Sequence, residues 1–159
     1  MPTLTQGNIF EAAERTPMAV VFGHIGFNLM SVHWRAFAER RPKLSDLANP
    51  FRGRPRQPIE WGEERWLWMV PCTAADGMTE AEHEKALGEA VAWALQNGIS
   101  SMVTNGATDE SLDVRSKGAR AEWLIAHASI LEESQVIDVE LISLSAVYVA
   151  MADAKDPER

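Results

Sequence analysis

The feature of this sequence that most constrains its fold is a short apolar run over residues 18–22 (MAVVF), followed at once by Gly23. A continuous apolar run of this length, bounded by turn signals, is typical of a strand buried on both faces. Further strands are predicted over residues 65–70 and 99–104, and residues 137–144 alternate between apolar and polar side chains. The sequence therefore predicts a sheet that is covered on both sides.

Helical spacing of apolar residues separates these strands. It predicts four helices, which run from Asn28 or Ser31 to about Arg41, from Thr79 to Gly98, over residues 117–133 and over residues 146–154. The apolar stripes of the first two include Trp34, Ala36, Phe37, Leu87, Val91, Ala94 and Leu95. Strands that alternate with helices indicate a three-layer α/β/α fold with a mixed, largely parallel sheet.

The remaining segments complete a single α/β domain over residues 1–159. Residues 3–10 (TLTQGNIF) have strand-forming side chains interrupted by Gly7 and Asn8, which indicates a bend or bulge. Residues 43–64 are rich in proline and arginine, so we expect an irregular insertion there.

Composition argues against several classes of protein. The net charge of -8 argues against wholesale binding to a nucleic-acid backbone. The single cysteine, Cys72, excludes an internal disulfide framework, and because no signal peptide is visible we expect a reducing, cytoplasmic location. No apolar run is long enough to span a bilayer, and no histidines or cysteines have metal-ligand spacing. We expect no membrane association, no metal and no cofactor.

Positive charge is concentrated in one segment. Residues 35–56 contain seven basic and two acidic side chains, whereas the chain from Asp109 onward contains eleven acidic and five basic ones. The basic segment suits a phosphate-bearing ligand or an acidic partner, although a solvated charged face is the simpler interpretation. Trp61 follows the segment and could stack on a nucleic-acid base beside Arg52, Arg54 and Arg56.

Ligands of parallel α/β sheets bind outside the carboxyl ends of the strands. In this sequence that rule selects the loops after Phe22, Val70 and Thr104. His24 lies in the first loop, in a position suited to a general base, a ribose contact or a titrating group, although a lone histidine in a turn is commonly structural. Cys72 lies at the second loop and would need His24 as its base to act as a nucleophile.

The opening segment, residues 3–12 (TLTQGNIFEA), resembles the first strand of macrodomains, in which a TQGNI or QGDI phrase precedes a buried strand and a glycine-rich ligand loop. The buried strand here is residues 19–22, and the loop is residues 23–31 (GHIGFNLMS). The helix that ends in FAERRP at Pro42 is similar to the branch of the family that removes ADP-ribose from nucleic acid. The resemblance implies a macrodomain-like fold that binds a nucleotide-type ligand related to ADP-ribose, with glycosidic or phosphoester hydrolysis as its reaction.

The same resemblance implies the residues of the site. Asn8 would contact the base, and the backbone of residues 26–28 would meet a phosphate. His24 would meet the distal sugar, and His24 or Asp109 would act as the catalytic base. The predicted ligand-binding residues are Asn8, Ile9, Gly26, Phe27, Asn28, Ser31, Asn105, Gly106 and Thr108.

A competing interpretation is a non-enzymatic interaction protein that keeps the fold and has lost the pocket. Residues 105–111 (NGATDES) contain one glycine and the adjacent acids Asp109 and Glu110, which would repel a pyrophosphate. In that case the loop at residues 51–61 would dock a protein or nucleic-acid partner through Arg52, Arg54, Arg56 and Trp61. For Asn8 itself, the alternative to a base contact is that it shapes a bulge beside Gly7.

Overall fold

The computed structural model describes residues 3–24, 31–44, 57–72, 80–105 and 138–143. Their strands are β1 Thr3–Gln6, β2 Met18–His24, β3 Pro58–Gly62, β4 Arg65–Cys72, β5 Ser101–Thr104 and β6 Asp138–Ser143. Their helices are α1 Ile9–Ala13, α2 Ser31–Ala38 and α3 Glu80–Gln96. The predicted helices over residues 117–133 and 146–154 lie outside the described residues.

The strands form one sheet in the order β1-β6-β5-β2-β4-β3. Every neighbouring pair is parallel except β3 and β4, which pair antiparallel at one edge. The predicted mixed, largely parallel sheet is therefore confirmed. β2 lies between β5 and β4, so its backbone can form hydrogen bonds on both sides.

Helices cover both faces of the sheet, which explains the apolar run in β2. Ala19 and Val21 belong to the core that includes side chains of α1 and α2. Met18, Val20 and Phe22 belong to the core that includes side chains of α3. All five side chains are at most 1% exposed, because successive side chains of a strand point to opposite faces. The prediction of a strand buried on both faces is confirmed. Its predicted end at Phe22 is wrong, because β2 continues through Gly23 and His24, which pair with Pro71 and Cys72 of β4.

The prediction that residues 3–10 form one interrupted strand is wrong after Gln6. Ile9 and Phe10 begin α1, and Asn8 is its N-cap with extended backbone angles of φ -98° and ψ 124°. The Oδ1 atom of Asn8 accepts a hydrogen bond from the Phe10 backbone N–H at 2.9 Å. An asparagine that satisfies a first-turn N–H in this way favours a helix start over a bulge.

The predicted irregular insertion over residues 43–64 is wrong at its carboxyl end. Residues 58–62 form the edge strand β3, whose Ile59 pairs with Leu67 of β4. Pro58 is compatible with the start of an edge strand, where a missing N–H costs no ladder hydrogen bond. The turn back into β4 contains Glu64 at a positive φ of 54°. A short antiparallel hairpin therefore borders the otherwise parallel sheet.

The predicted helix stripes are confirmed at most positions. Trp34 and Phe37 of α2 are buried, and so are Leu87, Val91 and Ala94 of α3. Ala36 and Leu95 are exposed, so their assignment to the buried stripes is wrong. Both lie next to a buried residue along the helix, and one residue is a rotation of about 100°. That rotation carries each side chain out of the buried face.

Candidate functional site

The carboxyl ends of the five parallel strands lie at one edge of the sheet. We call this the carboxyl edge and define it by the last strand residues Gln6, His24, Cys72, Thr104 and Ser143. Ligands of parallel α/β sheets bind outside this edge, where loops leave neighbouring strands in different directions. The predicted site residues can therefore be placed relative to it.

Asn8 lies just beyond β1 at the carboxyl edge and is half-buried. Its Oδ1 atom caps α1, while its Nδ2 atom has no hydrogen-bond partner among the described residues. Asn8 also borders a groove of about 70 Å³ between α1 and α2, lined in part by His33 and Arg40. Ligand pockets usually have volumes of about 300 to 1,000 Å³, so this groove alone is too small for a nucleotide.

Ile9 and Ser31 are the first residues of α1 and α2. The Ile9 side chain is buried in the core under α1, which leaves its backbone N–H as the group that could meet a ligand. Gly26, Phe27, Asn28, Gly106, Thr108 and Asp109 lie outside the described residues, and their roles stay predictions.

Asn105 is buried and follows the last residue of β5 directly. Its Oδ1 atom accepts a hydrogen bond from the Phe22 N–H at 2.7 Å. Its Nδ2 atom donates to the Phe22 carbonyl oxygen at 2.7 Å. The predicted ligand-binding residue Asn105 therefore holds the backbone of β2, a contact that the sequence analysis missed.

His24 and Cys72 are register partners at the ends of β2 and β4. The structure therefore brings together the two backbone positions that would carry a histidine–cysteine pair. Within the described ranges, no three histidine, cysteine, aspartate or glutamate side chains are grouped so as to hold a metal ion. None of the described helices is long and apolar enough to cross a membrane.

A larger cavity, of about 330 Å³, lies at the opposite edge of the sheet. It is lined by the β3–β4 turn, the end of α3 and the loop into β5, and its charged side chains are Glu63, Glu64 and Arg65. Two carboxylates beside one arginine give this cavity poor complementarity to a phosphate. The carboxyl edge is the better candidate for a nucleotide.

Comparison with known proteins gives a match in structure alone. No protein-family profile and no curated protein matches the sequence. The structure is similar to the Oceanobacillus iheyensis macrodomain with MES bound, with a TM-score of 0.67, 13% identity and coverage of 99% of this chain and 92% of that one. It is also similar to the Trypanosoma brucei macrodomain in complex with ADP-ribose, with a TM-score of 0.65, 13% identity and coverage of 96% and 67%.

A third similar structure is the macrodomain of Thermus aquaticus DarG, with a TM-score of 0.57, 14% identity and coverage of 91% of this chain and 98% of that one. The chain has the macrodomain fold. The resemblance seen in residues 3–42 is therefore confirmed at the level of the fold. In this macrodomain fold, Asn8 follows β1 and Asn105 follows β5 at the carboxyl edge, with β6 between these two strands in the sheet. Each of the two asparagines makes a defined backbone contact.

The basic segment of this macrodomain fold differs from the prediction at Trp61. Trp61 belongs to β3 and is half-buried, with its ring centroid 5.1 Å from that of Phe37. Arg41 lies against both rings, with its Cζ atom 4.1 Å from the Phe37 centroid and 4.9 Å from the Trp61 centroid. Trp61 is therefore wrongly predicted as an exposed loop residue that stacks on a base. Arg52, Arg54 and Arg56 lie outside the described residues.

Arg41 is tied to three neighbours, and its replacement by lysine should show this. Its guanidinium donates to the Phe37 carbonyl oxygen at 2.8 Å and to Glu14 at 2.5 Å. Lysine keeps the charge but loses the planar fork, so we expect Arg41→Lys to lower the free energy of unfolding by about 1 kcal/mol in urea denaturation. The exposed Arg40→Lys is the matched control and should change it by less than about 0.5 kcal/mol. Equal effects would contradict this description.

The two roles of Asn8 can be separated by substitution. Asn8→Ala removes the cap of α1 and should cost about 1 kcal/mol of stability, whereas Asn8→Ser keeps a capping oxygen and should cost a few tenths. Under the prediction that the Asn8 amide contacts the base of an ADP-ribose-related ligand, both variants should also bind ADP-ribose about tenfold more weakly in calorimetry, because serine lacks that amide. Wild-type affinity in Asn8→Ser would mean that Asn8 is a helix cap and nothing more.

Proposed function

We propose that this protein binds an ADP-ribose-related nucleotide at the carboxyl edge of its sheet. The observation that carries the proposal is the macrodomain fold, shared with a Trypanosoma brucei macrodomain in complex with ADP-ribose. The position of Asn8 supports it, because its Nδ2 atom lies at that edge with no hydrogen-bond partner among the described residues.

The predicted residues would divide the ligand between them. Asn8 would donate from Nδ2 to the base, and the backbone N–H groups of residues 26–28 would meet a phosphate. His24, at the end of the central strand β2, would meet the distal sugar. Ser31 would contribute from the start of α2, and Gly106 and Thr108 from the loop after β5.

The proposed reaction is hydrolysis of the bond that joins the distal ribose to its carrier. A water molecule would attack the anomeric carbon, the bond to the leaving group would break, and the proton of the water would pass to a base. His24 or Asp109 would be that base. Phosphoester hydrolysis with the same base is the second form of the reaction. We expect the protein to act in the cytoplasm.

Titration calorimetry with ADP-ribose, NAD and mononucleotides tests the binding proposal. We expect ADP-ribose to bind more tightly than a mononucleotide, because it would contact both the base subsite at Asn8 and the sugar subsite at His24. If none of these ligands binds at millimolar concentration, the proposal is rejected.

A second candidate function is the docking of a protein or nucleic-acid partner on the basic segment. Arg35 and Arg40 favour it, because both are exposed and neither pairs with an acid within the described ranges. Arg52, Arg54 and Arg56 would extend this surface. Reversing the charge of those three arginines should then abolish partner capture, whereas His24→Ala should preserve it. The opposite pattern would reject docking.

A further inference from the structure

The ladder between β2 and β5 ends before β2 does. Its last register pair is Val20 with Thr104, whereas β2 continues beside β4 as far as the pair of His24 with Cys72. The side of β2 that faces β5 therefore has no strand partner beyond this pair among the described residues. Phe22 lies in this stretch and is 1% exposed, and buried backbone groups are costly when they have no hydrogen bond.

The side chain of Asn105 takes the place of the missing strand. Its amide pairs with both backbone groups of Phe22, at 2.7 Å each, and it is itself only 5% exposed. A primary amide has an acceptor and a donor side by side, as a peptide group does, so it can satisfy an N–H and a C=O of one residue together. Aspartate or leucine at this position would lack the Nδ2 donor that bonds the Phe22 carbonyl oxygen.

Two of the predicted ligand loops begin at this contact. The loop of residues 25–30 leaves β2 two residues after Phe22, at His24. The loop that contains Gly106 and Thr108 begins directly after Asn105. One buried amide therefore joins the end of β2 to the end of β5, next to the points where the two loops begin.

We propose that Asn105 is a positioning residue, which holds the carboxyl ends of β2 and β5 at the separation that a nucleotide needs between their loops. This inference rests on the proposed function and assigns Asn105 a role through Phe22 and His24 in place of direct contact with the ligand. The proposal predicts that removing the Asn105 amide weakens ligand binding by more than its effect on stability alone would.

The test compares Asn105→Ala with Val103→Ala, in calorimetry with ADP-ribose and in thermal denaturation. Val103 is buried in β5 two residues earlier, so its truncation destabilises the same strand and leaves the amide in place. We expect Asn105→Ala to weaken ADP-ribose binding at least about tenfold. Val103→Ala should change binding by less than about threefold, even where its melting temperature falls as far or further. Equal effects on binding, or none in Asn105→Ala, would overturn the proposal.

Hydrogen exchange tests the same contact without a ligand. The Phe22 N–H should exchange at least about tenfold faster in Asn105→Ala than in Val103→Ala, because only the first variant removes its acceptor. Equal exchange rates would overturn the positioning role, whatever the calorimetry shows. If the wild-type protein does not bind ADP-ribose, the proposed function fails. The exchange rates then still test whether Asn105 holds the backbone of β2 at Phe22. Asn97→Ala removes an exposed amide that is bonded to the Trp93 carbonyl oxygen. This variant should change neither the affinity for ADP-ribose nor the exchange rate of the Phe22 N–H.

Discussion

Replacing Phe10 with alanine should lower the free energy of unfolding by about 3 to 5 kcal/mol, measured by urea denaturation. Phe10 is 1% exposed, and its ring centroid lies 5.4 Å from that of Trp34 and 5.7 Å from that of Phe37. Removing the ring leaves a cavity between α1 and α2. A helix as short as α1 has little stability of its own, so it depends on this packing.

The matched control for Phe10→Ala is Leu95→Ala. Leu95 lies on α3 and is 39% exposed, so its truncation should cost less than about 1 kcal/mol. If the two variants had equal unfolding midpoints, α1 would not be packed against α2 as described.

Replacing His24 with alanine should slow hydrolysis by about 10² to 10⁴-fold if His24 is the base of the proposed reaction. The assay is single-turnover release of ADP-ribose from an ADP-ribosylated oligonucleotide. A base acts mainly on the transition state, so the affinity for ADP-ribose should change by less than about tenfold. The expected signature is therefore a loss of rate at nearly constant binding.

Asp109→Asn is the matched variant for the second candidate base. This substitution keeps the size of the side chain and removes the proton acceptor. Because only one residue acts as the base, only one of His24→Ala and Asp109→Asn should show the large loss of hydrolysis rate. Wild-type rates in both would reject both residues as the base. A wild-type protein that binds ADP-ribose and releases none from the oligonucleotide would reject this hydrolase activity and leave binding intact.

Much of the fold could be predicted because burial leaves a simple pattern in the chain. The five apolar residues of β2 indicated two covered faces, and the structure places them alternately in two cores. Trp34 and Phe37 were correctly assigned to the buried face of α2 from helical spacing alone. In each case the side chain's own hydrophobicity determines its position, and that property is visible in one sequence.

Three features that the sequence did not reveal depend on single contacts that the hydrophobic pattern does not show. Asn8 starts a helix through one hydrogen bond to the Phe10 N–H, and the strand propensity of the surrounding residues gave no sign of it. Asn105 bonds a residue 83 positions away in the chain. Trp61 is held by Phe37 and Arg41, neither of which is near it in sequence. Apolar spacing does not show such partners, so the sequence predicts an edge for the site but not the contacts that its residues make.

The central claim is that a nucleotide binds at the carboxyl edge of the sheet. Hydrogen exchange with saturating ADP-ribose tests this claim most directly. We expect slower exchange in peptides that cover residues 20–31 and 103–109, since these leave β2 and β5 at the carboxyl edge. Peptides that cover residues 62–66 and 97–100, which line the cavity at the opposite edge, should exchange as in the free protein. Protection confined to residues 62–66 and 97–100 would contradict the account.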